Sequence, residues 1–135
     1  MSAPALFSAS VTVRFGSRAV LQDVALEIAP GEVLGLIGSS GCGKSTFALA
    51  AMNLTGLRGG RIEGHVRLDG RDLLSMNSRQ LRDIRGRLVA LVLQSPQAAL
   101  NPALKLRTHF EEAWRAHAKT NREEMVAAIE RTLAD

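Results

Sequence analysis

The sequence predicts a mixed α/β fold, and three observations predict it. Two short runs, residues 33–37 (VLGLI) and 88–93 (LVALVL), are apolar almost throughout, as strands buried on both faces of a parallel sheet are. Helical patterns lie between and after them. A glycine-rich loop joins the first run to the first helical pattern. Apolar strands connected through helices imply a sheet with helices packed on it and a loop at a strand end.

Taken in order, Val11, Val13 and Phe15 alternate with Thr12 and Arg14, the two-residue period of a strand. Gly16 and Ser17 read as a turn into a second extended stretch carrying Val20, Val24, Leu26 and Ile28. Pro30-Gly31 is a further turn. After the run at 33–37 and the glycine-rich loop, residues 46–54 read as a helix rich in good helix formers, stopped by Gly56 and Gly59-Gly60. Val66, Leu68 and the Asp69-Gly70 turn predict a small hairpin over 62–74. Ser78 precedes a short helix over 79–84, with Leu81 and Ile84 on one face. The run at 88–93 ends at Gln94-Ser95-Pro96, where a proline denies a strand its ladder N–H. Asn101-Pro102 marks a loop and 106–118 a helix. Thr120 and Glu123 have the spacing of a capping box for a last helix over 121–133.

The 135 residues suit one domain or a piece of one, with an ordinary globular balance of 46% hydrophobic and 22% charged residues. The net charge of +4 would suit phosphate ligands, anionic lipid or nucleic acid. The arginines between Arg58 and Arg87 form no run of like charge and read as solvated surface. Four Phe, one Trp and no Tyr provide no stacking platform for single strands. Cys42 is the only cysteine, which excludes a disulfide framework and points to a reducing compartment. Residues 1–10 lack the pattern of a secretory signal. No apolar run approaches the ~20 residues of a membrane span, so membrane association is expected to go through a partner. His65, His109 and His117 lack metal-ligand spacing and read as surface or boundary residues.

The chemistry concentrates at Gly38-Ser39-Ser40-Gly41-Cys42-Gly43-Lys44-Ser45-Thr46. Gly38, four residues, then Gly43-Lys44-Ser45 is the phosphate-loop pattern, in the strand–loop–helix context that the motif requires. Glycines at 38, 41 and 43 permit backbone torsions that side chains forbid, so successive N–H groups can turn inward toward phosphate oxygens. The helix that follows adds the equivalent of roughly +0.5 charge at its N-terminus. Lys44 brings a full charge toward the terminal phosphates, worth ~1 kcal/mol at ~4 Å in water and ~4 kcal/mol at an effective dielectric of ~20. The Ser45 hydroxyl is expected on a magnesium ion and the Thr46 hydroxyl on a phosphate oxygen. Cys42, a small filler within the loop, sits where a thiol is reactive. The expected ligand is ATP with Mg²⁺.

Three features make the chain resemble the ATP-binding subunits of ABC transporters. The loop reads GSSGCGKST, that family's form of the Walker A motif. An apolar strand pattern ends in glutamine, LVALVLQ, matching the family's Q-loop at Gln94. Phe15 lies 29 residues before Lys44, where the family places an aromatic ring against adenine. Gly31-Glu32 and Leu68-Asp69-Gly70 fit as well. Arg85-Gly86, and Gln94-Ser95-Pro96-Gln97-Ala98-Ala99-Leu100-Asn101-Pro102, are similar to the dipeptide, oligopeptide and nickel importers.

The resemblance implies a P-loop NTPase sheet with an N-terminal antiparallel β region and the start of a helical subdomain over 101–135. It covers residues 1–135 as the N-terminal half of such a domain, so a truncated domain is expected. The LSGGQ signature, the acidic Walker B strand, the D-loop and the switch histidine do not occur in the sequence. The implied function is ATP binding and hydrolysis coupled to import of peptides or related small solutes. Lys44 and Gln94 would be catalytic, and Ser45 and Gln94 metal ligands. Implied partners are transmembrane permease subunits, a second ATP-binding subunit of like or unlike sequence, and indirectly a solute-binding protein, on the cytoplasmic face of the cell membrane. Three alternatives stay open. Gln94 also reads as the polar cap of a buried strand, Phe15 also reads as a core residue, and the chain also reads as a nucleotide-binding remnant without hydrolysis. A nucleic-acid ATPase is disfavoured by the 94–102 stretch and by the absence of a coiled-coil heptad.

Overall fold

The computed structural model describes residues 5–95, 100–118 and 121–134. They fall into two compact units, one ending at Leu81 and the other beginning at Arg82.

The first unit is built on an antiparallel sheet. β1 (Phe7–Phe15) turns through Gly16 and Ser17 into β2 (Arg18–Ile28), with Phe15 opposite Arg18 and Phe7 opposite Ile28. On its other side β1 pairs with β3 (Gly60–Leu68), which turns into the two-residue β4 (Arg71–Asp72), giving the order β2-β1-β3-β4. Asp69 and Gly70 have φ of 50° and 72°, the left-handed pair that a tight hairpin turn needs. Strand alternation buries Ala9, Val11 and Val13 of β1 and Val66 and Leu68 of β3 on one face. Helix α1 (Lys44–Ala51) contributes Phe47 and Ala50 to this core. A buried Phe of this kind contributes about 1.5–3 kcal/mol relative to an exposed one. β1 and β3 approach so closely at Gly64 that a Cβ there would lie 2.0 Å from Ser10 O.

The phase of β2 differs from the expected one. Val24 pairs with Val11, but Leu21 pairs with Val13, so β2 carries an extra residue between them. Asp23 takes a φ of 48°, its N–H donates to Thr12 Oγ1 at 3.1 Å, and the Thr12 hydroxyl donates to Asp23 Oδ1 at 3.1 Å. This is a β-bulge, and one inserted residue moves the following side chains to the opposite face. Leu21 is therefore buried, whereas Val20, the expected apolar member, is only half-buried.

Helix α1 also stops earlier than the glycines suggest. Asn53 adopts φ 50°, its N–H donates to Ala50 O at 2.8 Å, and Leu54 N–H donates to Leu49 O at 2.8 Å. That is a Schellman termination with Asn in the left-handed position. Asn53 Nδ2 further donates to Leu73 O at 3.0 Å, tying the helix end to the segment after β4. A 3₁₀ turn (Thr55–Arg58) then leads into β3.

α2 (Ser78–Ile84) runs across the division between the units. Its cap is Asn77, whose Oδ1 accepts from Arg79 and Gln80 N–H at 3.0 Å while Gln80 Oε1 accepts from Asn77 N–H at 3.0 Å. The second unit holds α3 (Leu106–His117) and α4 (Arg122–Ala134). On α3, Glu111 pairs with Arg107 at 2.8 Å and Arg115 at 3.3 Å. α4 is capped by Asn121, whose Oδ1 accepts from Glu124 N–H at 2.9 Å. The predicted capping residue, Thr120, lies outside the described residues.

The two apolar runs are not strands. Residues 33–37 are irregular and solvent-facing, with Val33 96% and Ile37 94% exposed. Residues 88–93 make only the isolated bridge between Arg85 and Val89, and Val92 is 87% exposed. A strand of parallel type exists only as a member of a ladder. Among the described residues no strand pairs with either run. The mixed α/β class stands, carried by an antiparallel sheet followed by helices. No helix among the described residues is long and apolar enough to cross a membrane.

Candidate phosphate-binding loop

The loop leaves the irregular run at Gly38 and enters α1 at Lys44. Residues 31–42 are exposed throughout. Gly41 and Gly43 adopt φ of 80° and 101°, torsions that L side chains disfavour, which matches the glycine pattern read from the motif. Gly43 is the N-cap of α1, and its carbonyl accepts the first helical bond from Phe47 N–H at 2.8 Å. A Cβ at position 43 would lie 2.5 Å from Leu21 Cδ2, so β2 meets the loop here.

Lys44 folds back over the loop. Its Nζ donates to Gly38 O and to Ser39 O, each at 2.8 Å, and lies 3.5 Å from Cys42 Sγ. Ser39 O also accepts from Cys42 N–H at 3.3 Å. An ammonium has three donors; two go to the loop's own carbonyls and the third faces the Cys42 thiol. The charge is therefore held across the loop. The first turn of α1 contains no acidic residue and no side-chain cap. Its leading N–H groups have no acceptor within the helix, which is the general property that makes helix N-termini attract anions. Cys42 and Ser45 are exposed, and Thr46 is half-buried.

The other predicted residues have mixed placements. Phe15 is the last residue of β1, half-buried and opposite Gly60. A Cβ at position 60 would meet its ring at 2.9 Å, so the ring packs on the start of β3. Gln94 is exposed and belongs to the second unit, whereas the loop and Phe15 belong to the first. Residues 96–99 lie outside the described residues, and Asn101 Oδ1 accepts from Ala103 N–H at 3.0 Å. The three histidines are separate. His65 sits on β3 opposite Ser10, His109 Nε2 is 3.2 Å from Asn101 O, and the His117 ring lies over Gly86. Leu21 was missed by the periodicity reading, and its only signal in the sequence is the broken alternation between Leu21 and Val24.

A lysine folded across a glycine-rich turn at a helix start is the arrangement expected of the phosphate-loop motif. Residues 21–134 match the family described as ABC transporter, and the chain belongs to that family, whose members are ATPases. The chain is 40% identical over 120 residues to a peptide import ATP-binding protein of Brucella abortus, covering 86% of this chain and 36% of that protein. It is 40% identical over 106 residues to a dipeptide transport ATP-binding protein of Caldanaerobacter subterraneus, covering 78% and 32% respectively. It is 36% identical over 97 residues to an oligopeptide transport ATP-binding protein of Lactococcus lactis, covering 72% and 29%. The chain thus spans about a third of the length of the curated relatives it matches.

Proposed function

We propose that this chain carries the nucleotide-binding site of the ATP-binding subunit of an importer for peptides or related small solutes. The observation that supports it most is the Lys44 ammonium held over the loop by Gly38 O and Ser39 O at the N-terminus of α1. Backbone N–H groups of the loop would position the phosphates, and Lys44 would meet the charge on the terminal ones. The exposed Ser45 hydroxyl and the Gln94 amide oxygen are neutral oxygen donors of the kind Mg²⁺ accepts beside phosphate oxygens and water. When bound, the ion would neutralise charge on the phosphates undergoing in-line attack by water. Phe15 would lie against the adenine ring, and Gln94 would also orient the attacking water.

In this reading residues 101–135 begin a helical subdomain. The subunit would work peripherally on the cytoplasmic face of the membrane, against permease subunits and a second ATP-binding subunit, supplied by a solute-binding protein. A second reading, binding without turnover by this chain alone, is supported by the run at 33–37 leading into the loop, which is exposed and belongs to no strand.

The test is Mg-ATP binding by the wild type and Lys44→Ala, with phosphate release followed in the same samples. Loss of two charged hydrogen-bonding opportunities and a charge should weaken binding on the order of 30-fold or more, about 2 kcal/mol. Binding without release supports the second reading. Release that depends on Lys44 supports the first, and a folded wild type that binds nothing refutes both.

A further inference from the structure

We propose that Leu21 is a positioning residue for the phosphate loop, fixing the backbone of Gly43 so that the loop and Lys44 are set before a ligand arrives. The inference rests on the reading of the loop as a phosphate site.

Every residue from 31 to 42 is exposed. At Gly43 the situation changes. Leu21 is only 7% exposed, and its Cδ2 occupies the space 2.5 Å from where a Cβ of residue 43 would project. Val20 O bounds the same space at 3.5 Å. The glycine is thus wedged between β2 and the first hydrogen bond of α1, which its own carbonyl accepts from Phe47 at 2.8 Å. From there Lys44 carries the constraint to the far end of the loop, through its bonds to Gly38 O and Ser39 O. Leu21 points to this place only because the bulge at Asp23, locked to Thr12 by two bonds of 3.1 Å, resets the phase of β2. A backbone anion site binds by pre-organisation, and small displacements of its donors are expensive.

The experiment uses the whole chain, with Mg-tripolyphosphate and Mg-ATP as probes and amide exchange at Phe47 as a ligand-free readout. Leu21→Ala is expected to weaken both probes on the order of tenfold and to speed exchange at Phe47. Leu21→Met, which keeps the volume, is expected to restore both readouts. Leu81→Ala removes a comparably buried leucine of α2 and is expected to leave the affinity of the folded protein and the Phe47 amide unchanged. If Leu21→Ala does not fold, Leu21→Val replaces it, with a smaller shift in the same direction. Unchanged affinity and exchange in the Leu21 variants, or equal losses in Leu81→Ala, overturn the inference while leaving the phosphate site intact. Failure of the wild type itself to bind tripolyphosphate overturns the phosphate reading and this inference with it.

Discussion

Replacing Gly43 by alanine perturbs two things at once, and the structure allows them to be separated. The first is torsional, because φ at 43 is 101° and an L residue held there costs about 1–3 kcal/mol. The second is steric. The new Cβ would lie 2.5 Å from Leu21 Cδ2, whereas carbon atoms in contact prefer roughly 3.5–4.0 Å, so something must move by about 1 Å. Overpacking of that kind costs typically ~1–3 kcal/mol. Together the expected loss is about 2–6 kcal/mol, large beside the stability of a small domain. Urea titration with matched m-values measures it. A second cycle adds Leu21→Ala, which opens the steric space and leaves the torsion as it was. In that background Gly43→Ala should cost about 1–3 kcal/mol less than in the wild type, a coupling expected only of residues in contact. Additivity within about 0.5 kcal/mol, or a Gly43→Ala loss below that figure, would refute the contact and the reasoning built on it.

Two further outcomes are expected. The Arg107 hydrogen bond to Glu111, aided by the nearby charges of Arg107, Arg115 and Arg122, holds that carboxyl below its ordinary value. A depressed pKa means that its contribution is complete above the unfolded-state value and is lost as the pH falls through the folded one. Acid titration followed by helical circular dichroism should therefore show a loss below the ordinary carboxylate range, and Glu111→Gln should remove that step. Cys42 is exposed, 3.5 Å from Lys44 Nζ, within the loop proposed to hold phosphates. Saturating Mg-ATP should slow its alkylation by about tenfold or more, since only the unliganded fraction reacts. Equal rates with and without nucleotide would count against the proposed site.

Much of the first unit was legible in the sequence because it depends on near neighbours. The Phe15-Gly16-Ser17-Arg18 turn, the Asp69-Gly70 hairpin and the glycines at 41 and 43 are local torsional requirements, and each appears where its residues predicted it. The spacing alone marked Lys44 as the charged residue of the loop motif, but its two bonds to Gly38 O and Ser39 O required the folded loop. Helix boundaries were legible to within a few residues. The end of α1 was misassigned because Asn53 was passed over for the glycines, although asparagine also tolerates the left-handed conformation.

The sequence by itself determined the glycine-rich loop motif, the hairpins and the family resemblance, since these reside in short stretches whose residue types have steric and electrostatic reasons to stand where they do. Only the tertiary structure decided whether an apolar run becomes a strand, because a strand's hydrogen bonds belong to its partners. Residues 33–37 and 88–93 have the composition of buried strands, yet the first lies exposed, the second is only partly covered, and neither joins a ladder among the described residues. Tertiary structure likewise decided the face on which Leu21 lies. A bulge of one residue reverses the alternation, and that bulge depends on Thr12, a residue on the neighbouring strand.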